Sequence, residues 1–600
     1  MEVSLRIEKL RENMKEVGID YCLIPTSDCH DSEYVSDYFK VREYYSGFTG
    51  SAGNLLIGLD DAYLFTDGRY FLQAEQELKG SSVKLMRMGE KGVPGLSELI
   101  VNKVGQGMTF GFDGRLIAYN GISKTIDKLI AQGAKVRSDF DPATLMDERA
   151  PLCFNDVYIL KEQFAGESCR SKLDRICDRM KQCGADTHIV TTLDDIAWTL
   201  NLRGSDIEYN PVFFAYLLIN SEGVYLYADC DSFSKEVKEY LDKNRITLLN
   251  YFDFYEDIEQ RVKKCTLDGV LLDLDRVGYL LYDRLKGSCL VKDETNPATR
   301  MKCIKNQTEI ENIKRANIID AIAMLRFNKW LDEVVACSDT YPDELLVQDK
   351  LYEFRALGEE FMGGSFATIC AYGDNGAIVH YESSPKSNKR IVPGSFLLID
   401  SGGQYKLGTT DITRTYAIGE VPQKLKEDYT LVLRAMLRLG KCVFKEGTTG
   451  SVIDMIARAI IWKRGRDFKH GTGHGIGYFL NVHEGPVRIS INAKGKSSDC
   501  VFEPGMLSSD EPGLYVAGEY GIRIENDILC KVVAENDEGT YLGFEYVTYV
   551  PIDTSCIAIE SMSSEDIEAI NEYHELVYRT LNPYLKDDEL EYLKDKCKRV

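Results

Sequence analysis

The chain has 600 residues, more than one hydrophobic core usually serves, so its length predicts two to four domains. Its apolar fraction of 44% and its charged fraction of 28% are those of an ordinary globular protein and exclude a fibrous or intrinsically disordered chain. The net charge of −23 disfavours non-specific binding to nucleic acid and to anionic membranes, so we expect small or neutral partners, no nucleic acid and no membrane.

The cysteine pattern and the N-terminus predict the compartment. Seventeen cysteines are scattered along the chain without a CxxC pair, which argues against a cysteine-rich zinc module and favours a reducing environment. The N-terminus alternates charged and apolar residues and lacks the apolar run of a signal peptide. Since no run of about 18 apolar residues occurs, no membrane span is expected either. We therefore predict a cytoplasmic protein.

An internal repeat organises the first half of the chain. Residues 7–28 (IEKLRENMKEVGIDYCLIPTSD) recur at a constant offset as residues 173–194 (LDRICDRMKQCGADTHIVTTLD). In each copy, apolar residues at helical spacing precede a glycine, Gly18 or Gly184, that is typical of a helix end. A short apolar run typical of a buried strand follows in both copies. A helix followed by a strand, twice, predicts two similar α/β domains.

A third domain is predicted from about residue 300. Thr308 and Glu311 have the spacing of a helix-capping box and precede a long helical pattern. Further helical patterns at 424–443 and 451–464 alternate with short strands, which predicts an α+β domain with an antiparallel sheet. The chain after residue 556 is acidic and helical in character. The predicted division is two N-terminal α/β domains, a catalytic domain and a helical tail, at 1–145, 146–298, 299–555 and 556–600.

The first half of the sequence offers few candidates for chemistry. It contains no glycine-rich phosphate loop and no GxSxG motif, so neither nucleotide binding nor a serine nucleophile is predicted. Arg69 follows an Asp-Gly turn in FTDGRYF, where an arginine is usually part of a surface ion pair.

The second half contains acidic residues in distinctive settings. Asp400 in LLIDSGG and Asp411 in TTDITRT are predicted to face each other on neighbouring antiparallel strands, where their carboxylates would repel without a cation. In GIRIEN, strand alternation places Arg523 and Glu525 on one face. A structural ion pair would be enough to explain that glutamate by itself. Glu511 precedes a Pro-Gly turn that would hold its carboxylate at the mouth of a loop.

Histidines accompany these carboxylates. His474 lies among glycines in HGTGHGIG, which favours extended backbone close to an ion or a substrate. A single histidine is more often a core residue than a ligand, but His470 and His483 occur in the same short stretch, and His380 lies upstream. Four carboxylates and one imidazole suit Mn²⁺ or a similar ion better than copper or a thiolate-bound metal.

The sequence motifs around these carboxylates and histidines resemble those of the pita-bread metallopeptidases, which include methionine aminopeptidase, prolidase and aminopeptidase P. The resemblance covers the whole chain, and it is strongest for the three-domain, eukaryotic-type cytosolic Xaa-Pro aminopeptidases. Its motifs are YSGFTGSAG, FTDGRYFLQAE, NLRGSDIEYNPVFFAY, HGTGHGIGYFLNVHEGP and GIRIEN. The fold class that it implies is two similar α/β N-terminal domains followed by a pita-bread (creatinase/aminopeptidase-like) catalytic domain.

The resemblance implies two divalent metal ions per chain, with Mn²⁺ favoured and Zn²⁺ or Co²⁺ as alternatives. The ligands it implies are Asp400, Asp411, His474, Glu511 and Glu525. Asp411 and Glu525 would bridge the two ions, and a water shared by the ions would attack as hydroxide with Glu511 as the general base.

Further residues are implied to contact the substrate. His380 and His483 would hydrogen-bond the substrate and the oxyanion, and loss of such a donor typically costs ~10²–10³ in rate. His470 and Arg523 would contact the substrate, and Arg69 would reach it from the first domain.

The implied function is removal of the N-terminal residue from short peptides with proline at position two. Proline lacks an N–H and constrains the residue before it, so such bonds need a dedicated pocket. The resemblance also implies a homodimer formed through the third domain. Two alternatives stay open: a prolidase-type dipeptidase, whose chain would lack the second upstream domain, and a non-catalytic pita-bread binding module, which would have lost the ligands.

Overall fold

The computed structural model describes residues 2–265, 268–337, 341–493 and 500–600. The chain divides into two compact units. The first comprises the chain up to Leu160 together with Glu167–Thr299, and the second comprises Lys161–Gly166 and Arg300–Val600. In the described part of the chain, no helix has the length and apolar character that crossing a lipid bilayer requires.

The first unit begins with a six-stranded mixed sheet and its helices. The elements are α1 (Val3–Val17), β1 (Tyr21–Pro25), α2 (Val41–Ser46), β2 (Asn54–Gly58), β3 (Ala62–Thr66), α3 (Phe71–Glu77), β4 (Lys84–Arg87), α4 (Leu96–Lys103), β5 (Thr109–Phe112), α5 (Tyr119–Ala131) and β6 (Lys135–Arg137). The strand order is β4-β3-β2-β1-β5-β6. β2 pairs antiparallel with β1 and β3, and the other neighbours pair parallel.

A second six-stranded sheet repeats this arrangement. The next elements along the chain are β7 (Tyr158–Ile159), α6 (Glu162–Ala165), α7 (Cys169–Gln182), β8 (Thr187–Val190), α8 (Leu193–Leu200), β9 (Leu202–Arg203), β10 (Ala215–Asn220), β11 (Gly223–Ala228), α9 (Lys235–Lys243), β12 (Ile246–Asn250), α10 (Phe254–Cys265), β13 (Val270–Leu272), α11 (Tyr279–Leu285), β14 (Val291–Asp293) and α12 (Pro297–Lys302). The strand order is β12-β11-β10-β8-β13-β14, in which β10 pairs antiparallel with β8 and β11 and the other neighbours pair parallel. Each strand has a counterpart in the first sheet, so the prediction of two similar α/β folds is confirmed.

The sequence repeat corresponds to the helix–strand pairs α1–β1 and α7–β8. Gly18 ends α1 with a left-handed φ of 72°, which glycine adopts without strain. Ile7, Leu10 and Met14 are buried as predicted, whereas Val17 at the end of the helix is 40% exposed. The apolar spacing therefore predicted the helix and its buried face correctly, except in the last turn.

The second unit contains a six-stranded antiparallel sheet and two three-stranded sheets. Besides α6, its elements are α13 (Gln307–Ala336), α14 (Glu344–Ala356), β15 (Phe361–Gly364), β16 (Ile369–Tyr372), β17 (Ser395–Ser401), β18 (Gly403–Tyr405), β19 (Gly408–Thr409), β20 (Ile412–Ile418), α15 (Gln423–Gly440), β21 (Val443–Lys445), α16 (Gly450–Trp462), β22 (Gly473–Gly475), β23 (Glu484–Ile489), β24 (Leu507–Asp510), β25 (Gly513–Val516), β26 (Tyr520–Arg523), β27 (Asn526–Asn536), β28 (Gly539–Tyr546), α17 (Ser564–Leu581) and α18 (Asp587–Lys596). The large sheet has the order β21-β28-β27-β24-β22-β23, and the smaller sheets are β16-β17-β20 and β15-β18-β19. The predicted α+β architecture of this part is confirmed.

The two C-terminal helices belong to the core of the second unit. Ile570 and Val577 of α17 and Leu593 of α18 are fully buried in the hydrophobic cluster that also contains Met436 of α15 and Phe396 of β17. The C-terminal segment is therefore an integral part of this unit and not a loose tail.

Two local predictions in this unit are wrong. The side chain of Asn306, not of Thr308, caps α13, and Glu309 completes the capping box in place of Glu311. Asparagine caps helices at least as well as threonine, and here it has the same spacing to an acidic residue. The segment GIRIEN is not one strand, because β26 ends at Arg523 and the following strand belongs to another sheet. The predicted division into four domains stays a prediction.

Candidate metal centre

The strands β17 and β20 bring the two predicted aspartates together. They pair antiparallel, and the register places Asp400 opposite Thr413. Asp411 directly precedes β20, two residues before Thr413, so it is not directly opposite Asp400 as predicted. The relative exposures of Asp400 and Asp411 are 8% and 4%, so both carboxylates lie in a nearly water-free environment.

A histidine and two glutamates converge on this pair. One ligand atom each of Asp411, His474 and Glu525 lies within 4.8 Å of the others. The Nε2 atom of His474 is 3.5 Å from Asp411 Oδ2 and 3.6 Å from Glu511 Oε1. The structure thus gathers three predicted carboxylate ligands, from three separate segments, around one imidazole.

The backbone orients the imidazole of His474. Its Nδ1 atom lies 3.0 Å from the carbonyl oxygen of Gly475. A carbonyl can only accept, so Nδ1 carries a proton, and in the neutral imidazole the lone pair of Nε2 is directed at the carboxylates. A histidine that donates one ring N–H to a carbonyl and directs the other nitrogen at a cation is the usual arrangement of a metal ligand.

Glycines allow this strand to lie where it does. A Cβ atom on Gly473 would collide with the carbonyl oxygen of Ser509, and one on Gly475 would collide with that of Glu484. The alternating glycines around the histidine therefore serve close packing of β22 between its neighbours.

The carboxylates make ionisation costly for one another. Burial raises the pKa of Asp411 well above its usual range, and Glu525 and Asp400 raise it further. Burial, together with Asp400 and Glu511, has the same effect on the pKa of Glu525. The pKa of Glu511 rises to about 7, chiefly through burial, although Arg523 opposes the rise. The ionised forms of these side chains become stable when a positive charge lies among them, as in sites for hard divalent cations.

Asp400 carries a second sign that a cation fits here. Its Oδ1 atom is buried and has no hydrogen-bond partner among the described residues. A buried carboxylate oxygen without a donor is costly unless a cation binds it. The residues present therefore fit a metal centre.

Arg523 and Thr413 connect the ligands to each other. Arg523 donates from Nη2 to Asp400 Oδ2 at 2.5 Å and from Nε to Thr413 Oγ1 at 3.2 Å. The Thr413 hydroxyl donates to Glu525 Oε2 at 2.6 Å. Arg523 is only 2% exposed, and its predicted contact with substrate stays a prediction.

A short hydrogen-bonded chain leads from Arg523 to His470. Arg523 Nη1 donates to the hydroxyl of Tyr515 at 2.6 Å, and that hydroxyl lies 2.8 Å from His470 Nε2. His470 Nδ1 is 3.7 Å from Glu511 Oε2. The predicted histidine thus lies beside a predicted ligand, and its role toward substrate stays a prediction.

The other two predicted histidines lie in segments that border the same site. The ring of His483 is perpendicular to that of His474, with centroids 4.2 Å apart. His380 is half-buried, and the carbonyl of the preceding Val379 accepts a bond of 3.5 Å from Arg523 Nη2. Their roles as hydrogen-bond donors to substrate stay predictions.

Arg69 belongs to the first unit. It makes a two-pronged ion pair with Asp67, in which Nη2 and Oδ2 are 2.8 Å apart, and its side chain is 27% exposed. This is the surface ion pair that its position after a turn suggested. Its predicted contact with substrate stays a prediction.

Residues that the sequence did not single out also surround the site. Asp527 is fully buried, and its Oδ2 accepts a bond of 3.4 Å from the backbone N–H of Asp411. Burial raises its pKa well above the usual range. Its position two residues after Glu525, directly before the apolar run ILC (528–530), was an available signal. For Thr413 and Tyr515, whose hydroxyls join separate strands, the sequence offered none.

Comparison with known proteins identifies the family. Residues 311–531 match metallopeptidase family M24, and residues 540–600 match the C-terminal region of peptidase M24. Residues 6–142 and 148–309 each match a creatinase/prolidase N-terminal domain. A probable Xaa-Pro aminopeptidase P of Laccaria bicolor is 37% identical over 99% of this chain and 93% of its own length. The chain belongs to the Xaa-Pro aminopeptidases.

Other relatives agree with this assignment. Xaa-Pro aminopeptidase 1 of Dictyostelium discoideum is 37% identical, over 97% of this chain and 94% of its own. The crystal structure of an X-prolyl aminopeptidase from Caenorhabditis elegans, a cytosolic enzyme with a di-nuclear active site, covers 100% of both chains with a TM-score of 0.95 and 30% identity. The predicted pita-bread metallopeptidase fold and the predicted Xaa-Pro aminopeptidase family are confirmed.

A dipeptidase of known structure matches only part of this chain. An Xaa-Pro dipeptidase from Bacillus anthracis is 27% identical, with a TM-score of 0.51, and covers 99% of its own chain but 64% of this one. The dipeptidase thus has no counterpart for about a third of this chain, since 100 − 64 leaves 36%. The Laccaria, Dictyostelium and nematode proteins, which match almost the whole chain, are all named as Xaa-Pro or X-prolyl aminopeptidases.

Proposed function

We propose that this chain is a metal-dependent aminopeptidase that removes the N-terminal residue from peptides with proline at the second position. The proposal is carried by the convergence of Asp411, Glu525, Glu511 and His474 on one point. It is supported by relatives named Xaa-Pro aminopeptidase that are 35–37% identical along almost the whole chain.

Two divalent ions per chain are proposed, in keeping with the di-nuclear active site of the similar nematode enzyme. The residues that would hold them are Asp400, Asp411, His474, Glu511 and Glu525. The oxygen-rich donor set favours Mn²⁺, with Zn²⁺ and Co²⁺ as alternatives. When bound, such ions supply Lewis-acid activation of water and of the scissile carbonyl.

Glu511 is proposed to carry the proton. Its two carboxylate oxygens face different histidines, with Oε1 at 3.6 Å from His474 Nε2 and Oε2 at 3.7 Å from His470 Nδ1. A carboxylate held there can take a proton from the attacking water and deliver it to the departing proline nitrogen. His470 lies beside this carboxylate and is held there by contacts of its own, with Nδ1 2.7 Å from the Gly471 carbonyl and Nε2 2.8 Å from the Tyr515 hydroxyl.

His483 and His380 are proposed to bind the substrate. His483 packs edge-on against His474, so its ring edge lies beside the ligands. An imidazole N–H in this place can stabilise the charge that develops on the scissile carbonyl oxygen. His380 is proposed as a second donor because the Val379 carbonyl ties its segment to Arg523.

The decisive assay compares Arg-Pro-Pro, Arg-Pro and Arg-Ala-Ala on protein stripped with EDTA and reloaded with Mn²⁺. The proposal expects release of arginine from Arg-Pro-Pro, no cleavage of Arg-Ala-Ala, and no activity before reloading. Cleavage confined to Arg-Pro would instead indicate a prolidase-type dipeptidase. Inactivity with all three peptides would indicate a binding module. As a control, His474→Ala should lose bound metal and activity while staying folded, and normal turnover by this variant would refute the site.

We also propose a cytoplasmic homodimer. The cytosolic location of the similar nematode enzyme supports the compartment. Val452, Met455 and Trp462 are 60%, 39% and 41% exposed at helical spacing on α16, which leaves an apolar helix face that a second copy of this chain can cover. Light scattering should give the mass of two chains for the wild type, and that of one chain for the double variant Val452→Glu/Met455→Glu.

A further inference from the structure

Arg414 is a buried arginine on β20 with an unusual set of partners. Its relative exposure is 1%, and it neighbours Thr413 in the strand that leads away from Asp411. Its hydrogen-bond acceptors among the described residues are backbone carbonyls, an amide oxygen and a hydroxyl, with no carboxylate. Six acceptors surround its five N–H groups, so this buried guanidinium is satisfied entirely by uncharged partners, which hold it in one place.

One set of acceptors belongs to the backbone that carries Glu525. Arg414 Nη1 donates to the carbonyl of Thr413 at 2.9 Å and to that of Glu525 at 2.5 Å. Nη2 donates to Asn526 Oδ1 at 2.8 Å. Glu525 lies in the break between β26 and β27, so its position does not come from a regular sheet ladder. Its own N–H donates to the Thr413 carbonyl at 3.1 Å, the same oxygen that Arg414 contacts.

The other set of acceptors belongs to the C-terminal segment. Arg414 Nη2 also donates to the Val550 carbonyl at 2.8 Å and lies 2.9 Å from the Tyr573 hydroxyl, while Nε donates to the Pro551 carbonyl at 3.2 Å. Tyr573 lies on α17, is 1% exposed, and donates to the Val550 carbonyl at 2.7 Å. One guanidinium thus joins the backbone of a candidate ligand to a C-terminal helix.

We propose that Arg414 and Tyr573 are positioning residues for Glu525, and that the segment from Val550 to α17 is therefore part of the support of the metal centre. The inference rests on the proposed function, because Glu525 matters here as a metal ligand. The loss of groups that orient a ligand typically weakens metal binding or activity about 10–100-fold, since binding then has to order the ligand. The C-terminal helix α17, which the sequence predicted only as part of a helical tail, thereby acquires a role at the metal centre.

Tyr573→Phe tests this with the smallest possible change. The variant keeps the ring in the core and removes the hydroxyl that Arg414 contacts. Tyr578→Phe on the same helix is the matched control, because Tyr578 is half-buried and is not one of the hydrogen-bond partners of Arg414 given above. Metal-stripped proteins are titrated with Mn²⁺ by calorimetry, and the Co²⁺-loaded proteins are compared by visible absorption.

We expect Tyr573→Phe to raise the Kd for Mn²⁺ about 3–10-fold, a smaller effect than direct loss of a ligand's own partner because the hydroxyl acts through Arg414. The Co²⁺ absorption should change and kcat should fall with KM unaltered, while the control stays like wild type in all three. Arg414→Lys keeps the charge but lacks the planar guanidinium with its several N–H donors. It should therefore weaken Mn²⁺ binding at least as much as Tyr573→Phe does.

A merely structural role predicts a different pattern. If Tyr573→Phe melts at a lower temperature but binds Mn²⁺ as tightly as wild type, with an unchanged Co²⁺ spectrum, the inference is overturned. Should that variant fail to fold, Arg414→Lys provides the same comparison. Failure of the wild-type chain itself to bind Mn²⁺ would instead overturn the proposed function, and the two failures are thereby distinguished.

Discussion

Arg523 donates a hydrogen bond of 2.5 Å from Nη2 to Oδ2 of Asp400, deep inside the second unit. The other carboxylate oxygen, Oδ1, is buried and has no hydrogen-bond partner among the described residues. One oxygen of the aspartate is therefore bound by the protein, and the other is available to a cation. The same guanidinium contacts Thr413 and Tyr515, so a single side chain aligns several parts of the site.

Replacement of Arg523 by lysine should disrupt this alignment. An ammonium group keeps the charge but cannot contact Asp400, Thr413 and Tyr515 at once. We expect Mn²⁺ affinity and kcat/KM to fall about 10–100-fold in Arg523→Lys, with an unchanged circular dichroism spectrum. The exposed Arg464 provides the control Arg464→Lys, which should behave like wild type. Wild-type metal affinity in Arg523→Lys would contradict the positioning role.

Glu344 should control the segment that carries His380. Its buried carboxylate accepts from the backbone N–H groups of Tyr372 and Lys389 at 2.7 and 3.0 Å, and from the Tyr381 hydroxyl at 2.8 Å. These donors bracket His380. Glu344→Gln replaces one carboxylate oxygen by an NH₂ group, which then faces the N–H and O–H donors that the carboxylate accepted from. We therefore expect the free energy of unfolding to fall by about 2–3 kcal/mol. Urea unfolding measures the loss.

The same variant separates the substrate-binding segment from the metal ligands. Because Glu344 contacts none of the five candidate ligands, the Glu344→Gln protein should bind Mn²⁺ normally while kcat decreases. Loss of metal together with activity would show that the two parts are not independent.

Glu484 should matter for stability through two buried lysines. Its carboxylate contacts Lys305 Nζ closely and lies 3.9 Å from Lys302 Nζ, and all three side chains are at most 2% exposed. Glu484→Gln removes the carboxylate that contacts these buried ammonium groups, so we expect a loss of about 3–5 kcal/mol in urea unfolding. The double variant Glu484→Gln/Lys305→Met should recover part of this loss. Equal stability of the wild type and the single variant would rule out the ion pair as a support of this region.

His574 should make the second unit sensitive to acid. Burial lowers its pKa to about 4 from an ordinary value of 6.5, and the charge of Arg414 contributes to the lowering. The unfolded chain then binds a proton between these pH values that the folded chain does not. The contribution of neutral His574 to the free energy of unfolding is therefore complete above pH 6.5. It is lost as the pH falls toward 4, and the total loss is about 3 kcal/mol.

Denaturant unfolding of wild type and His574→Gln at several pH values between 7 and 4 checks this expectation. Glutamine keeps an acceptor for the backbone N–H of Ile552, which lies 3.2 Å from His574 Nε2, and does not titrate. The variant should lose less stability than wild type on acidification. Parallel curves for the two proteins would show that another group dominates the acid response.

Much of the site could be predicted because each ligand lies in a short motif with its own local signature. Aspartates at strand ends, a histidine among glycines and a glutamate before a Pro-Gly turn are readable without any knowledge of distant contacts. The break between Arg523 and Asn526 was not predictable, because alternation in GIRIEN is the same for one strand as for two strands of different sheets. The capping box of α13 was misplaced by two residues for a similar reason, since Asn306 and Thr308 precede acidic residues at equal spacing.

The sequence by itself determined the repeated α/β units, the candidate ligands and the family, because periodicity and motif spacing are local properties of the chain. The tertiary structure alone decided which oxygen of Asp400 is bound by Arg523, that Asp527 lies against Asp411, and that Tyr573 reaches Glu525 through Arg414. Those relationships join residues more than 100 positions apart. They arise from sheet register and helix packing, which depend on the free energy of the whole folded unit and not on any one segment.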